Sequence, residues 1–136
     1  MRTKMKVICK YNDPSNLLKG IPDNFDFDLE INKEYLVMSL LTFKGSNDLY
    51  LLVDENGRPS WFPHQVFEIV SNILPKKWLV KINRGNEFVD YQNLIGFNEL
   101  CNKDDVFNRL FERDEEPIRI YFKRKIALEG DLSEEE

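Results

Sequence analysis

Asn56-Gly57 is the pair of residues that most restricts how this chain can fold. Both residues tolerate a positive φ, which a two-residue turn between antiparallel strands demands. Before the pair, Asp48 to Val53 is rich in strand formers; after it, Ser60-Trp61-Phe62 is a short apolar run ended by Pro63. A hairpin centred on residues 56–57 follows. Upstream, residues 33–43 (Lys-Glu-Tyr-Leu-Val-Met-Ser-Leu-Leu-Thr-Phe) read as one strand, and Lys44-Gly-Ser-Asn turns it toward Asp48–Val53 as its antiparallel mate. Residues 4–11 alternate and form a first strand, and Val66 to Val70 closes this half. Between Asn12 and Asn32, Asp13-Pro14, Gly20 and Pro22 break any regular pattern, so a long excursion is expected there.

The second half is punctuated by Ser71-Asn72 and Pro75. Residues 77–82 then read as a strand, and Arg84-Gly85-Asn86 turns it toward Glu87 to Tyr91 as a second hairpin. Across residues 98–113, Leu100, Val106, Phe107, Leu110 and Phe111 fall close to one helical stripe, with Asp104 and Asp105 near its start. Ile118 to Leu128 is β-rich and reads as a last strand entered at Pro117. The expected fold class is α+β. Residues 1–72 are expected to form one β unit, residues 73–128 an α+β extension sharing its core, and residues 129–136 a disordered acidic tail.

Ten Phe, five Tyr and two Trp among 136 residues supply a core without disulfides or metal. The two cysteines, Cys9 and Cys101, lie far apart in apolar surroundings, which points to a reducing compartment. Met1-Arg-Thr-Lys-Met-Lys lacks the apolar run of a signal peptide, and no stretch has the length of a membrane span, so a cytoplasmic setting is expected. The net charge of −5 sits in the tail: residues 129–136 carry five acids and no base, leaving nineteen charges of each sign in residues 1–128. A neutral body with a negative end argues against nucleic acid, which selects for a basic stripe.

Residues 56–70 (Asn-Gly-Arg-Pro-Ser-Trp-Phe-Pro-His-Gln-Val-Phe-Glu-Ile-Val) resemble the end of a Src homology 3 domain: a hairpin tip, an aromatic-Pro step, a helical turn and a closing strand. The preceding strand, long loop and antiparallel pair match that family's order, so the likeness covers about residues 4–70 and implies a Src homology 3-like barrel. Tyr11 and Pro63 match its peptide groove, whereas Val66 stands where the family has tyrosine and Asp48-Leu49-Tyr50 where it has tryptophan. The resemblance therefore implies a scaffold more than proline-peptide binding. In overall type, a compact acidic-tailed α+β chain of this size is also similar to bacterial toxin-immunity proteins.

Chemistry is thinly represented. His64 is the sole histidine, standing in a turn sequence, and neither cysteine has a ligand at metal-binding spacing. No catalytic residue, metal or cofactor is expected. The sharpest interaction segment is Asp23 to Glu30, where Asp26, Asp28 and Glu30 alternate with Phe25, Phe27 and Leu29. In an extended chain the acids share one face, suited to a basic protein surface such as a toxin domain, while the phenylalanines pin the loop to the barrel. Asp23, Phe25, Asp26, Asp28, Glu30, Tyr50 and Trp61 are the candidate partner-binding residues. The expected function is a non-enzymatic protein-binding protein of immunity type that occludes a toxin's active surface. The alternative is a peptide-binding adaptor or a subunit of a larger assembly.

Overall fold

The computed structural model describes residues 4–12 and 27–130. These residues form a mixed α+β structure with two antiparallel sheets and three helices. The strands are β1 (Met5–Cys9), β2 (Glu34–Leu36), β3 (Ser39–Phe43), β4 (Leu49–Glu55), β5 (Arg58–Pro63), β6 (Phe67–Asn72), β7 (Leu79–Ile82) and β8 (Tyr91–Gly96). One 3₁₀ turn, His64–Val66, joins β5 to β6. The helices are α1 (Asn98–Asn102), α2 (Asp104–Phe111) and α3 (Glu115–Glu129).

The turn at Asn56-Gly57 forms as the sequence requires, with φ of 53° and 76°, and pairs β4 with β5 from Glu55↔Arg58 to Tyr50↔Pro63. Residues 33–43, read as one strand, are split between the two sheets. The Val37 N–H donates to the Met5 carbonyl in one sheet (2.9 Å), and the next amide, of Met38, donates to Leu52 in the other (2.8 Å). The small sheet therefore runs β2-β1-β6 and the large one β5-β4-β3-β8-β7.

The second hairpin is present with a different return strand. β7 pairs with β8 at residues 91–96, beyond the expected 87–91, because the loop is held by a side chain. Asn83 is buried; its Oδ1 accepts from the Asn86 N–H (2.7 Å) and its Nδ2 donates to the Asn86 and Tyr91 carbonyls (3.0 and 2.9 Å). β8 also pairs with β3, so the second half extends the sheet begun by the first. At that seam Gly96 faces Ser39, where a Cβ would lie 2.6 Å from the Ser39 Oγ.

The expected helix over 98–113 is two helices broken at Lys103. The expected last strand over 118–128 is instead α3. Its Ile118, Ile120 and Phe122 do alternate with polar or hydroxylated residues, but the acids at 115 and 116 favour a helix N-terminus and Pro117 is tolerated in a first turn. Pro117, Tyr121 and Leu128 are its buried residues, at spacings a helix places on one side. A buried stripe at 117, 121 and 128 overrides the local β propensity of its isoleucines.

Alternation along the large sheet gives it two apolar faces. Leu41, Leu52 and Leu94 point to a cluster completed by Leu100, Phe107 and Tyr121 from the helices. Leu40, Leu51 and Phe62 point to the other cluster, which Val7, Tyr35 and Val66 complete. Trp78, between β6 and β7, packs against both.

Candidate functional site

Of the sequence-derived candidates, Asp23, Phe25 and Asp26 lie outside the described residues. Asp28 and Glu30 are exposed, and Phe27 and Leu29 do pin their segment: Phe27 packs edge-on against Phe62 (6.3 Å between centroids) and Leu29 is buried. The segment is not a strand, however. Asp28 has φ of 63°, in the left-handed region, so the strict alternation that would set Asp28 and Glu30 on one extended face does not hold.

Tyr50 and Trp61 are brought together, on the opposite face of the large sheet. Tyr50 meets Phe43 (5.0 Å), Phe43 meets Phe111 (6.1 Å), and Phe111 meets Trp61 (6.4 Å), which also meets Phe107 (6.0 Å). Both are half-buried, Trp61 against α2 and Tyr50 against Phe43, so these two candidates lie on the other side of the sheet from Asp28 and Glu30.

Two braces of ionisable groups stand at the end of β4, on Glu55 and on Asp54. Tyr35 donates its hydroxyl proton to Glu55 Oε2 and accepts from the Glu30 N–H (2.9 Å), while Lys33 Nζ reaches Glu55 Oε1 at 2.7 Å. Burial works against the charge on Glu55, but the hydrogen bonds from Lys33 and Tyr35 outweigh it and hold the carboxyl below its ordinary value. On the other face, Asp54 Oδ1 accepts from the Tyr121 hydroxyl (2.8 Å) and from Lys125 Nζ (2.7 Å). Burial, reinforced by Asp54, raises the Tyr121 phenol well above its usual range. Each brace binds distant segments: Glu55 holds the chain before β2, and Asp54 holds α3. Cys9 and Cys101 are buried free thiols, and burial pushes Cys101 up to about 11. Among the described residues, no group of three or more His, Cys, Asp or Glu could hold a metal ion.

An apolar mouth opens between the two sheets. A cleft of about 230 Å³ is lined by Met5, Val7 and Phe67 on one side, Leu49 and Leu51 on the other, with Ile69 and His64 at its rim. Ile69 faces Val7 across the β1–β6 pair yet is 61% exposed, so an inward-pointing side chain stands open to solvent. Register carries the surface across the large sheet. A row of partners runs Phe62, Leu51, Leu40, Ile95 and Val80, and the next row runs Leu49, Thr42, Asn93 and Ile82. The first row starts in the core and ends at exposed Val80; in the second, Asn93 Nδ2 donates to Thr42 Oγ1 (3.1 Å) between exposed Leu49 and Ile82. Phe67 is in edge contact with Phe62 (6.4 Å) and Phe62 with Phe27, so a run of rings links the mouth to the acidic segment at Asp28 and Glu30.

Sequence reading missed this mouth. The strands holding Leu49 and Ile69 were legible, but which neighbours their inner faces would lack is set by sheet closure. No helix among the described residues is long and apolar enough to cross a membrane. A scan of protein-family models, a search of curated proteins and a search of solved structures found no match to this chain.

Proposed function

We propose that this chain is a non-enzymatic protein-binding protein of immunity type, built on a Src homology 3-like scaffold, that seats a partner protein over the mouth and occludes the partner's active surface. The observation that carries this reading is Ile69: an inward-facing apolar residue, 61% exposed, beside a cleft lined by apolar side chains. Apolar surface arranged this way gains free energy when covered, and a polar or charged rim sets which partner covers it. Exposed Asp28 and Glu30, joined to the mouth by the Phe27–Phe62–Phe67 rings, supply acidic groups suited to a basic partner. The scaffold reading is supported by chain order: a strand bent at Val37-Met38 to serve two sheets, a tight hairpin at 56–57, a 3₁₀ turn, and a closing strand paired with the first.

The test is affinity capture of the tagged chain from its native host, followed by assay of the captured protein's own activity. Wild type should retain one stoichiometric partner and silence its activity. Leu49→Glu with Ile69→Glu should lose that partner while keeping the wild-type melting transition. Retention of the partner by the double variant, or a partner whose activity is untouched by binding, would refute the proposal.

A further inference from the structure

β7 is the edge strand of the large sheet, with β8 on one side and no strand among the described residues on the other. Its backbone orientation follows from register. Asn83 lies opposite Gln92 in the continuation of the β7–β8 pairing, and its N–H donates to the Gln92 carbonyl (2.8 Å). Antiparallel partners alternate between bonded and non-bonded pairs, so Leu79 and Lys81 turn their N–H and C=O groups toward β8. Val80 and Ile82 turn theirs outward.

The side chains along this edge are as unusual as its backbone. Val80 is 65% exposed and Ile82 48%, and they end the two cross-strand rows described above. Between them Lys81 projects from the opposite face, with Lys77 before and Arg84 after; all three are exposed, and none is in an ion pair among the described residues. Residues 73–86 contain no acid at all. The neutral body of the chain thus hides a local basic strip, laid along a strand with outward-facing amides.

We infer that the β7 edge is a strand-addition site for an extended segment of a partner protein in which acidic and apolar residues alternate. Such a segment pairs its backbone with Val80 and Ile82. Its apolar residues extend the rows ending at those side chains, and an acid between them meets Lys81. Lys77 and Arg84 attract further acids at its ends. Charge selects this occupant over a second copy, because two β7 edges brought together would set Lys81 against Lys81. Nucleic acid would use the cations but leave the outward amides and the apolar rows unmatched. The site stands on a different strand from Leu49 and Ile69, so it holds or falls independently of the mouth.

The experiment uses the purified full chain and three probes: a capped Glu-Val-Glu-Val-Glu-Val peptide, its Lys-Val counterpart, and a single-stranded oligothymidine. Amide hydrogen exchange and chemical shifts are read by NMR. The Glu-Val peptide should slow exchange at Val80 and Ile82 while leaving Leu79 and Lys81 unchanged. Lys81→Glu should weaken it by at least about tenfold and transfer preference to the Lys-Val peptide. Ile82→Pro, which removes only an outward N–H, should abolish binding with the fold retained. The inference is overturned if neither peptide binds, if the protected amides lie elsewhere, if Lys81→Glu changes nothing, or if oligothymidine binds the same strand more tightly. An edge lysine that only prevents self-association would give the first of these results.

Discussion

Asp54 and Glu55 are sequence neighbours at the end of β4, and the pleat of the strand sends their carboxylates to opposite faces. The consequences for stability are separable by pH. The folded Glu55 carboxyl is held below its ordinary value of 4.5 once the hydrogen bonds from Lys33 and Tyr35 overcome the cost of burial. A group whose folded pKa is depressed stabilises the fold above its unfolded pKa, and that contribution is lost as the pH falls through the folded value. Glu55→Gln should therefore cost about 1 kcal/mol at neutral pH, a modest figure because Lys33 is partly solvated. The gap between variant and wild type should close as the pH drops below 4.5 in urea titrations. A gap that persists at low pH would mean that Glu55 acts through packing alone.

Among elements, α3 shows best where sequence reasoning stops. Its run from Ile118 to Phe122 fits strand alternation while the acids at 115 and 116 favour a helix start, and a tertiary fact decides between them: the buried positions are 117, 121 and 128. A strand would bury Ile120 and Phe122 and expose Tyr121, whereas the helix leaves Phe122 half-buried and Tyr121 with no exposed surface. Tyr121→Ala should cost about 3–5 kcal/mol and Phe122→Ala clearly less, measured by chemical denaturation. The reverse order would fit a strand. The strands around Asn56-Gly57 were legible because their turn chemistry is local. The exact return of β7 into β8 was not, since it depends on Asn83 folding back on Asn86 and Tyr91. Of the candidate site, the pinning of Phe27 and the exposure of Asp28 and Glu30 were legible. The shielding of Trp61 depends on α2, whose docking position no local pattern specifies.

At the scale of the whole molecule, the question is whether the first half can stand without the second. Among the described residues, the face of the large sheet that carries Leu41, Leu52 and Trp61 is covered by Phe107, Leu110 and Tyr121, all from the second half. β3 also depends on the second half, because β8 pairs along its length from Ser39 to Phe43. A chain cut after Asn72 would expose that apolar face together with an open edge at β3, a combination that favours self-association over folding. Residues 1–72 expressed alone should therefore give no cooperative thermal transition and should associate, while the full chain melts in one step. A monomeric, cooperatively folding fragment would show that the helices decorate a self-sufficient barrel. Failure of the fragment would mean instead that the mouth, whose Leu49 and Leu51 sit on β4 between the two apolar faces, is held in shape by helices on the far side of the same sheet.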